Sequence, residues 1–235
     1  MEIKPWTSQI LHAQSRGEIR VALVTEFYYP HLGGVTEHVH NLALQLERLG
    51  HSVVVITGNM EGQGKDPPRV RRVGVSRVIY SNAALARLTT GRRLLFRMED
   101  IIRGERCELV HVHDIAPTLG IAATLAGSRL RLPVVATLHT WVERSRLYRI
   151  FRRPYQAGLD RLAAKIAVSE LGKRAYAQYF RTDDWFVIPN GVDTDHFHPD
   201  GRAEGMAPRD GCRPGIIAHA RAAGYEFRPL SDLLA

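Results

Sequence analysis

Two adjacent glycines, Gly33 and Gly34, stand between a short apolar segment and a stretch of helical periodicity, where a phosphate could bind. Glycine lets the backbone approach a ligand closely, and the free N–H groups at the start of a helix favour an anion. The pair does not form the G-x-G-x-x-G pattern, so a dinucleotide site is not indicated. A flexible turn between a strand and a helix is the alternative, and the spacing leaves both interpretations open.

A second group of polar residues has the order His-Val-His-Asp, with His111, His113 and Asp114. Side chains alternate between the two faces of a strand, so both histidines point to one face and the aspartate lies just past the strand. Imidazole and carboxylate suit zinc or iron. No third ligand stands at a recognisable spacing, so we predict no metal here. We favour hydrogen bonds from His113 and Asp114 to a polar ligand or to each other.

A third group, His139-Thr140-Trp141, also follows an apolar segment. His139 could contact a substrate, cap the next helix or bond a carbonyl. Further along, Asp193-Thr194-Asp195 has the D-x-D form that can hold a divalent metal on a diphosphate. It follows the turn dipeptide Asn190-Gly191 rather than an apolar strand, so a solvated loop is the favoured interpretation, even with His196 and His198 nearby.

Arginines concentrate in two stretches, Arg87 to Arg106 and Arg144 to Lys165, and the second also contains Tyr148, Phe151 and Tyr155. Solvated helix faces and a surface that rests on anionic lipid headgroups explain this pattern about equally well. Nucleic-acid binding is not favoured, because no recognised motif accompanies the charge. The residues predicted to form a membrane or anion surface are Arg146, Arg149, Arg152 and Arg153.

The composition excludes several classes of protein. The chain has 235 residues, 45% of them hydrophobic and 24% charged, which excludes wholesale disorder. Its net charge is +8 and its pI about 9.9, so it attracts anions. The longest apolar runs, such as Val53–Ile56, are too short to span a bilayer. Two cysteines, Cys107 and Cys212, do not make a disulfide framework. The first residues lack the pattern of a secretory signal, so we expect a cytoplasmic protein.

The elements that must position these groups follow from the hydrophobic pattern. Continuous apolar runs favour parallel strands buried on both faces, and each alternates with a helical period, which predicts an α/β fold with one doubly wound, mostly parallel, Rossmann-like sheet. Gly50 is expected to end the first helix, and Pro154 to interrupt the fourth. We predict strands at 19–25, 52–57, 73–79, 109–113, 133–139, 165–169 and 185–189, and helices at 35–49, 92–104, 117–130, 143–164 and 170–180.

The sheet predicts where the polar groups meet. Ligands bind beyond the carboxyl ends of parallel strands, so we expect Gly34 and His139 to converge on one rim. The domain is predicted to span 18–200, after a polar lead-in at 1–17. Residues 201–235 contain five glycines and three prolines, and they predict an irregular tail.

Taken together, these segments resemble family 4 glycosyltransferases of GT-B fold, specifically their N-terminal domain. The resemblance covers roughly residues 19–199. Each segment is short, and it is their order along the chain that makes the likeness specific. The segments that carry it are 27–35, 49–57, 110–113, 133–140, 166–169 and 188–193, with Phe197 and Pro199 after them.

The resemblance implies retaining transfer of a sugar from a nucleotide-diphospho-sugar to a hydroxyl of a lipid or polysaccharide. The nucleotide-sugar is then a co-substrate, and no cofactor or metal is expected. Gly33, Gly34 and Thr36 would lie against the donor diphosphate, His139 would assist at the reacting sugar, and His113 and Asp114 would line the acceptor side. With the basic helices, this suggests peripheral contact with the inner face of an anionic membrane and no nucleic-acid partner.

The sequence also departs from that family, whose members carry a second Rossmann-like domain with a Glu-x7-Glu pair. The one such spacing here, Glu18 to Glu26, spans the first strand instead. We therefore expect a truncated or half enzyme that binds its donor poorly or takes the missing domain from a separate chain. The alternative is a non-catalytic module that binds the acceptor or an anionic membrane. Another nucleotide-binding enzyme is disfavoured, because no dinucleotide or P-loop fingerprint is present.

Overall fold

The computed structural model describes residues 17–62, 64–81, 84–115, 118–140, 146–150 and 152–191, with the backbone alone at 79–81, 84–86, 146 and 147. These residues belong to one compact unit that ends at Gly191. The tail predicted at 201–235 lies outside the described residues, as do Trp141, Cys212 and the Asp193-Thr194-Asp195 segment.

The described strands form a single eight-stranded sheet in the order β4-β3-β2-β1-β5-β6-β7-β8. Neighbouring strands are parallel except for β3 and β4, so the predicted doubly wound, mostly parallel fold is confirmed. The strands are β1 Arg20–Thr25, β2 Ser52–Asn59, β3 Val70–Ser81, β4 Ala84–Thr90, β5 Leu109–His113, β6 Val134–Leu138, β7 Ala164–Ala167 and β8 Phe186–Val187.

Helices cover both faces of this sheet, which is why the strands are apolar along their whole length. In β1, Val21 and Leu23 pack with Val39 of the first helix, whereas Ala22 and Val24 belong to the larger core on the opposite face. The helices are α1 Gly34–Arg48, α2 Leu94–Gly104, α3 Leu119–Arg129, α4 Arg146–Ile150, α5 Arg152–Leu159 and α6 Glu170–Ala177. None of the described helices is long and apolar enough to cross a membrane.

The first helix ends as the sequence predicts. Gly50 adopts a left-handed backbone with φ of 85°. Its N–H donates to the carbonyl of Glu47, and the N–H of His51 donates to the carbonyl of Leu46. These bonds satisfy carbonyls that the end of the helix leaves free, in the manner of a glycine cap.

The predicted strict alternation of strands and helices is wrong for residues 70–90, where two strands follow one another without a helix between them in the described part of the chain. There β3 is longer than expected and pairs with β4 in an antiparallel hairpin that was not predicted. The segment Ala84–Leu88 is rich in helix-forming residues, and its strand conformation comes from pairing with β3 rather than from local preference.

The prediction that Pro154 interrupts a long helix was also wrong in detail. Pro154 is the third residue of α5, in its first turn, and Phe151, between α4 and α5, lies outside the described residues. A proline is tolerated there because the N–H groups of a first turn have no partner within the helix.

The strand order places a topological switch point beside β1. From β1 the chain proceeds to β2 on one side and later to β5 on the other, so the loops after β1 and β5 diverge. In open α/β sheets such a point, at the carboxyl ends of the strands, is where ligands bind.

Candidate functional site

Four imidazole rings meet at the carboxyl ends of β5 and β6. His111 and His113 stack with ring centroids 4.3 Å apart. His113 stacks in turn on His139 at 5.4 Å, and its Nδ1 lies 3.1 Å from Nε2 of His139 in a hydrogen bond. The ring of His38 lies 4.8 Å from that of His139 and 5.5 Å from that of His113. Residues far apart in the chain therefore form one continuous cluster of rings.

Three elements position the four rings. His111 and His113 are two residues apart on β5, so they share a face, as predicted. Because β5 and β6 are parallel, His113 lies opposite Thr137, and His139 follows just past the end of β6. His38 is one turn into α1, and helical side chains lean towards the N-terminus, so its ring lies near the start of the helix.

Asp114 joins the ends of these two strands. Its Oδ1 accepts hydrogen bonds from the backbone N–H groups of His139 at 2.9 Å and Thr140 at 3.4 Å, and its Oδ2 accepts from the Thr140 hydroxyl at 3.1 Å. Burial raises the pKa of this carboxyl, and the three hydrogen bonds oppose the rise. The backbone is left-handed, with φ of 64°, a conformation that aspartate tolerates better than most residues. Asp114 therefore holds His139 in position.

The imidazoles are neutral near pH 7. Burial lowers the pKa of His38 to about 4, and the nearby His139 ring contributes. Burial also lowers the pKa of His139 to about 4 and that of His111 to about 3, and it holds the pKa of His113 well below its usual range. His111 Nε2 lies 2.8 Å from the Thr137 hydroxyl. A neutral ring can donate one hydrogen bond and accept another, but it is a weak base.

Several polar atoms of this cluster lack a partner among the described residues: His113 Nε2, His139 Nδ1 and the Thr36 hydroxyl. His113 and Thr36 are almost completely buried. Buried polar groups are usually hydrogen-bonded, so unsatisfied ones point to a ligand or water. One nitrogen from each of His38, His113 and His139 lies within 4.8 Å of the others, so these three could also hold a metal ion.

The predicted glycine pair lies at the beginning of α1. Gly33 has an extended backbone with φ of 171°, and α1 has no side-chain cap. A Cβ at Gly34 would meet no atom within 4 Å, and one at Gly33 would make ordinary contact with His31. Neither the backbone nor packing therefore demands glycine, and the absence of Cβ atoms leaves the start of α1 open to a ligand. His38 connects this helix to the histidine cluster, so Gly34 and His139 lie on the same rim, as expected.

Glu26, which follows β1, is a buried carboxylate that pattern analysis did not assign to the site. Its Oε1 accepts from the Leu119 N–H at 2.9 Å and from the Thr118 hydroxyl at 2.8 Å. Its Oε2 accepts from the Thr89 hydroxyl at 2.5 Å. Glu26 thus caps the N-terminus of α3 and links it to β1 and β4.

The predicted basic surface lies apart from this cluster in the chain, on α4 and α5. Arg149, Arg152 and Arg153 are exposed, as is the apolar side chain of Ile150. The side chain of Arg146 lies outside the described part of the chain, as do His196 and His198. An exposed isoleucine among arginines is compatible with an interfacial surface.

The sequence patterns do not predict His38 or Glu26 as site residues, for different reasons. His38 has the i, i+4 spacing from Gly34 that places it over the start of α1, which was a usable signal. No local signal marks Glu26, because its hydrogen bonds reach residues 63 to 93 positions away.

The chain resembles known proteins in sequence and in fold. The model of Glycosyltransferase Family 4 matches residues 32–196. The chain is 31% identical over 197 residues to phosphatidyl-myo-inositol mannosyltransferase of Mycolicibacterium smegmatis. This alignment covers 82% of this chain and 49% of that protein. It is also 30% identical over 193 residues to a phosphatidylinositol N-acetylglucosaminyltransferase subunit of Arabidopsis thaliana. That alignment covers 77% of this chain and 42% of the relative.

Among solved structures, HepE of Anabaena in complex with UDP matches with a TM-score of 0.50 and 16% identity, over 77% of this chain and 47% of that one. That likeness concerns the fold alone. The chain spans about half the length of the curated relatives it matches.

Proposed function

Because the chain belongs to glycosyltransferase family 4, we propose that it forms the acceptor-side half of a retaining hexosyltransferase. Such an enzyme moves a sugar from a nucleotide-diphospho-sugar to a lipid hydroxyl. The proposed domain is 18–200. The observation that carries the proposal is the position of His139, which is fixed by Asp114 beside the N-terminus of α1 at the switch point of the sheet.

The donor diphosphate is assigned to the start of α1. The first N–H groups of this helix have no partner within it, and its dipole favours negative charge. Gly33 and Gly34 leave space for the phosphates. The Thr36 hydroxyl has no partner among the described residues, but the side chain is fully buried and does not reach the surface of this helix start. These features support the roles that the family resemblance assigns to the two glycines, and the role of Thr36 stays a prediction.

His139 is assigned to the reacting sugar through polar contact rather than as a base. With a pKa of about 4, its ring is neutral at pH 7 and accepts a proton poorly. A neutral imidazole can still hydrogen-bond a sugar hydroxyl and stabilise charge that develops in the transition state. Deprotonation of the acceptor is then left to the donor's own phosphate, in keeping with retention.

The acceptor is proposed to be a phosphoinositide-like lipid, next to His113 and Asp114. The mannosyltransferase and the N-acetylglucosaminyltransferase subunit that the chain resembles are both named for phosphatidylinositol. The exposed arginines of α4 and α5 support a peripheral position on the cytoplasmic face of a membrane. A donor-side domain, in the same polypeptide or a separate one, would complete the cleft.

The test uses the 235-residue chain with GDP-mannose or UDP-N-acetylglucosamine and vesicles that contain phosphatidylinositol. We expect labelled sugar in the lipid fraction at a low rate, because the acceptor-side half alone forms only one wall of the cleft, and a further fall of about 100-fold or more for His139→Ala. His51→Ala, a histidine at the amino end of β2, is the matched control and should transfer normally. Transfer that survives His139→Ala unchanged contradicts the role of His139. If neither donor binding nor transfer is detected, catalysis by this chain is rejected.

A second candidate function, a non-catalytic membrane-binding module, is favoured by the basic surface with its exposed Ile150. Changing Arg149, Arg152 and Arg153 together to alanine should weaken binding to anionic vesicles by about 1 kcal/mol per arginine. A control triple variant that removes the same charge from exposed positions elsewhere, Arg48, Lys65 and Arg131, should lose less. Equal losses would show that net charge alone drives binding.

A further inference from the structure

Three imidazoles from three elements converge at this rim: His38 from α1, His113 from β5 and His139 after β6. One nitrogen from each lies within 4.8 Å of the others. From this geometry we propose that the three histidines bind a divalent transition-metal ion such as Zn²⁺. The site goes beyond the proposed sugar transfer, for which no metal is required.

The separation of the first two ligand atoms already suits tetrahedral zinc. Zn–N bonds of about 2.05 Å at the tetrahedral angle place two ligand nitrogens about 3.3 Å apart. Nδ1 of His113 and Nε2 of His139 are 3.1 Å apart. One nitrogen of His38 lies within 4.8 Å of one nitrogen on each of the other two rings, so reaching a separation of about 3.3 Å requires a movement of at most about 1.5 Å. His38 is only partly buried on a helix surface, so a change of its side-chain torsions can supply that movement.

Metal binding must displace the proton in the hydrogen bond between His113 and His139, and the outer ring nitrogens can accept it. In the hydrogen bond, one of the facing nitrogens carries the proton and the other accepts it. When both bind an ion, the displaced proton takes the outer nitrogen of its own ring, so no net proton is lost. Those outer atoms, His113 Nε2 and His139 Nδ1, have no other partner among the described residues.

The outer nitrogens of His113 and His139 also influence how tightly the site binds a metal ion. Metal-bound histidines usually donate their outer N–H to a carboxylate or carbonyl, and losing that partner costs about 10- to 100-fold in affinity. The structure provides no such partner for either ring within the described ranges. His38 and His139 are partly exposed, which gives an ion a route from solvent and leaves a fourth position for water. The site is therefore weaker than a zinc site with complete outer hydrogen bonds and is loaded reversibly.

Metal binding would also inhibit sugar transfer, and this consequence rests on the proposed function. An ion on Nε2 of His139 occupies the ring that is assigned to the reacting sugar. Zn²⁺ would therefore compete with the sugar for the same side chain.

The test titrates the untagged 235-residue chain with Co²⁺, whose visible absorption distinguishes tetrahedral from octahedral coordination. We expect one tetrahedral site that Zn²⁺ displaces. His38→Ala should weaken binding at least tenfold, whereas His51→Ala should not. An octahedral spectrum, or unchanged binding in either His38→Ala or His139→Ala, overturns the proposal.

An alanine variant could lose Co²⁺ binding because it misfolds. A variant that gains a new spectroscopic signal avoids this ambiguity. His38→Cys supplies a thiolate at the same helix position, so the Co²⁺ complex should acquire an intense sulfur-to-cobalt band in the near ultraviolet. If no such band forms while the chain keeps wild-type circular dichroism, His38 is not a ligand. These readouts need no nucleotide-sugar, so they can fail or succeed independently of the proposed transferase activity.

Discussion

The carboxylate of Asp114 accepts a hydrogen bond from the backbone N–H of His139 at 2.9 Å, although the two residues are 25 positions apart. This bond fixes the loop after β6 to the end of β5. The Asp114 carboxylate therefore determines where the His139 ring stands relative to His113 and to the start of α1.

Asp114→Ala should reduce both stability and transfer, since it removes the acceptor of three hydrogen bonds from His139 and Thr140. We expect a loss of about 2–3 kcal/mol in the free energy of unfolding, measured by urea denaturation. Asp114→Asn keeps an oxygen for the two N–H groups and should lose less. If the two variants behave alike, the hydrogen bonds do not hold this loop.

Gly34→Ala should separate stability from donor binding. Because a Cβ here meets no atom within 4 Å, alanine should raise the free energy of unfolding by about 0.4–1 kcal/mol. The same methyl group would stand where the diphosphate is assigned, so affinity for the nucleotide-sugar should fall, as calorimetry can measure. A stabilised variant with unchanged donor affinity would remove the glycine pair from the donor site.

Glu26→Ala should destabilise the fold through α3. The change removes the acceptor of the Thr118 and Thr89 hydroxyls and of the Leu119 N–H, all of them buried or partly buried. We expect a loss of about 3 kcal/mol from the free energy of unfolding. Glu61→Ala, in an exposed turn after β2, is the control and should change stability by less than about 0.5 kcal/mol. A loss for Glu26→Ala as small as the control's would contradict the capping role.

Cys107 should react slowly with thiol reagents in the folded chain. Its ionisation in the unfolded chain should also lower the free energy of unfolding at alkaline pH. Burial raises the pKa of its thiol from 9.0 to about 12. Above pH 9 the unfolded chain releases a proton that the folded chain keeps, so this group's contribution to stability falls as pH rises towards 12. In a Cys212→Ser background, a thiol reagent at pH 8 should label Cys107 slowly, and quickly in urea. Stability of the further variant Cys107→Ala should depend less on pH in this range, and equal slopes would contradict the assignment.

The sequence by itself determined the features that depend on neighbouring residues. Continuous apolar runs indicated strands covered on both faces, Gly50 marked the end of α1, and the two-residue spacing placed His111 and His113 on one face. The order of short segments along the chain was enough to identify the family. The hydrophobic period, the helix-capping glycine and the order of motifs depend only on residues close together or on their sequence along the chain. They can therefore be recognised without knowing the tertiary structure.

Only the tertiary structure decided which side chains meet. His38 joins His113 and His139 because α1 packs beside β1 with a particular rotation, and Glu26 reaches α3 because the strand order returns β5 to the side of β1. The conformation of β4 was likewise set by its pairing with β3, against its local preference. Contacts between residues tens of positions apart depend on how elements pack, and no pattern within a short window contains that information.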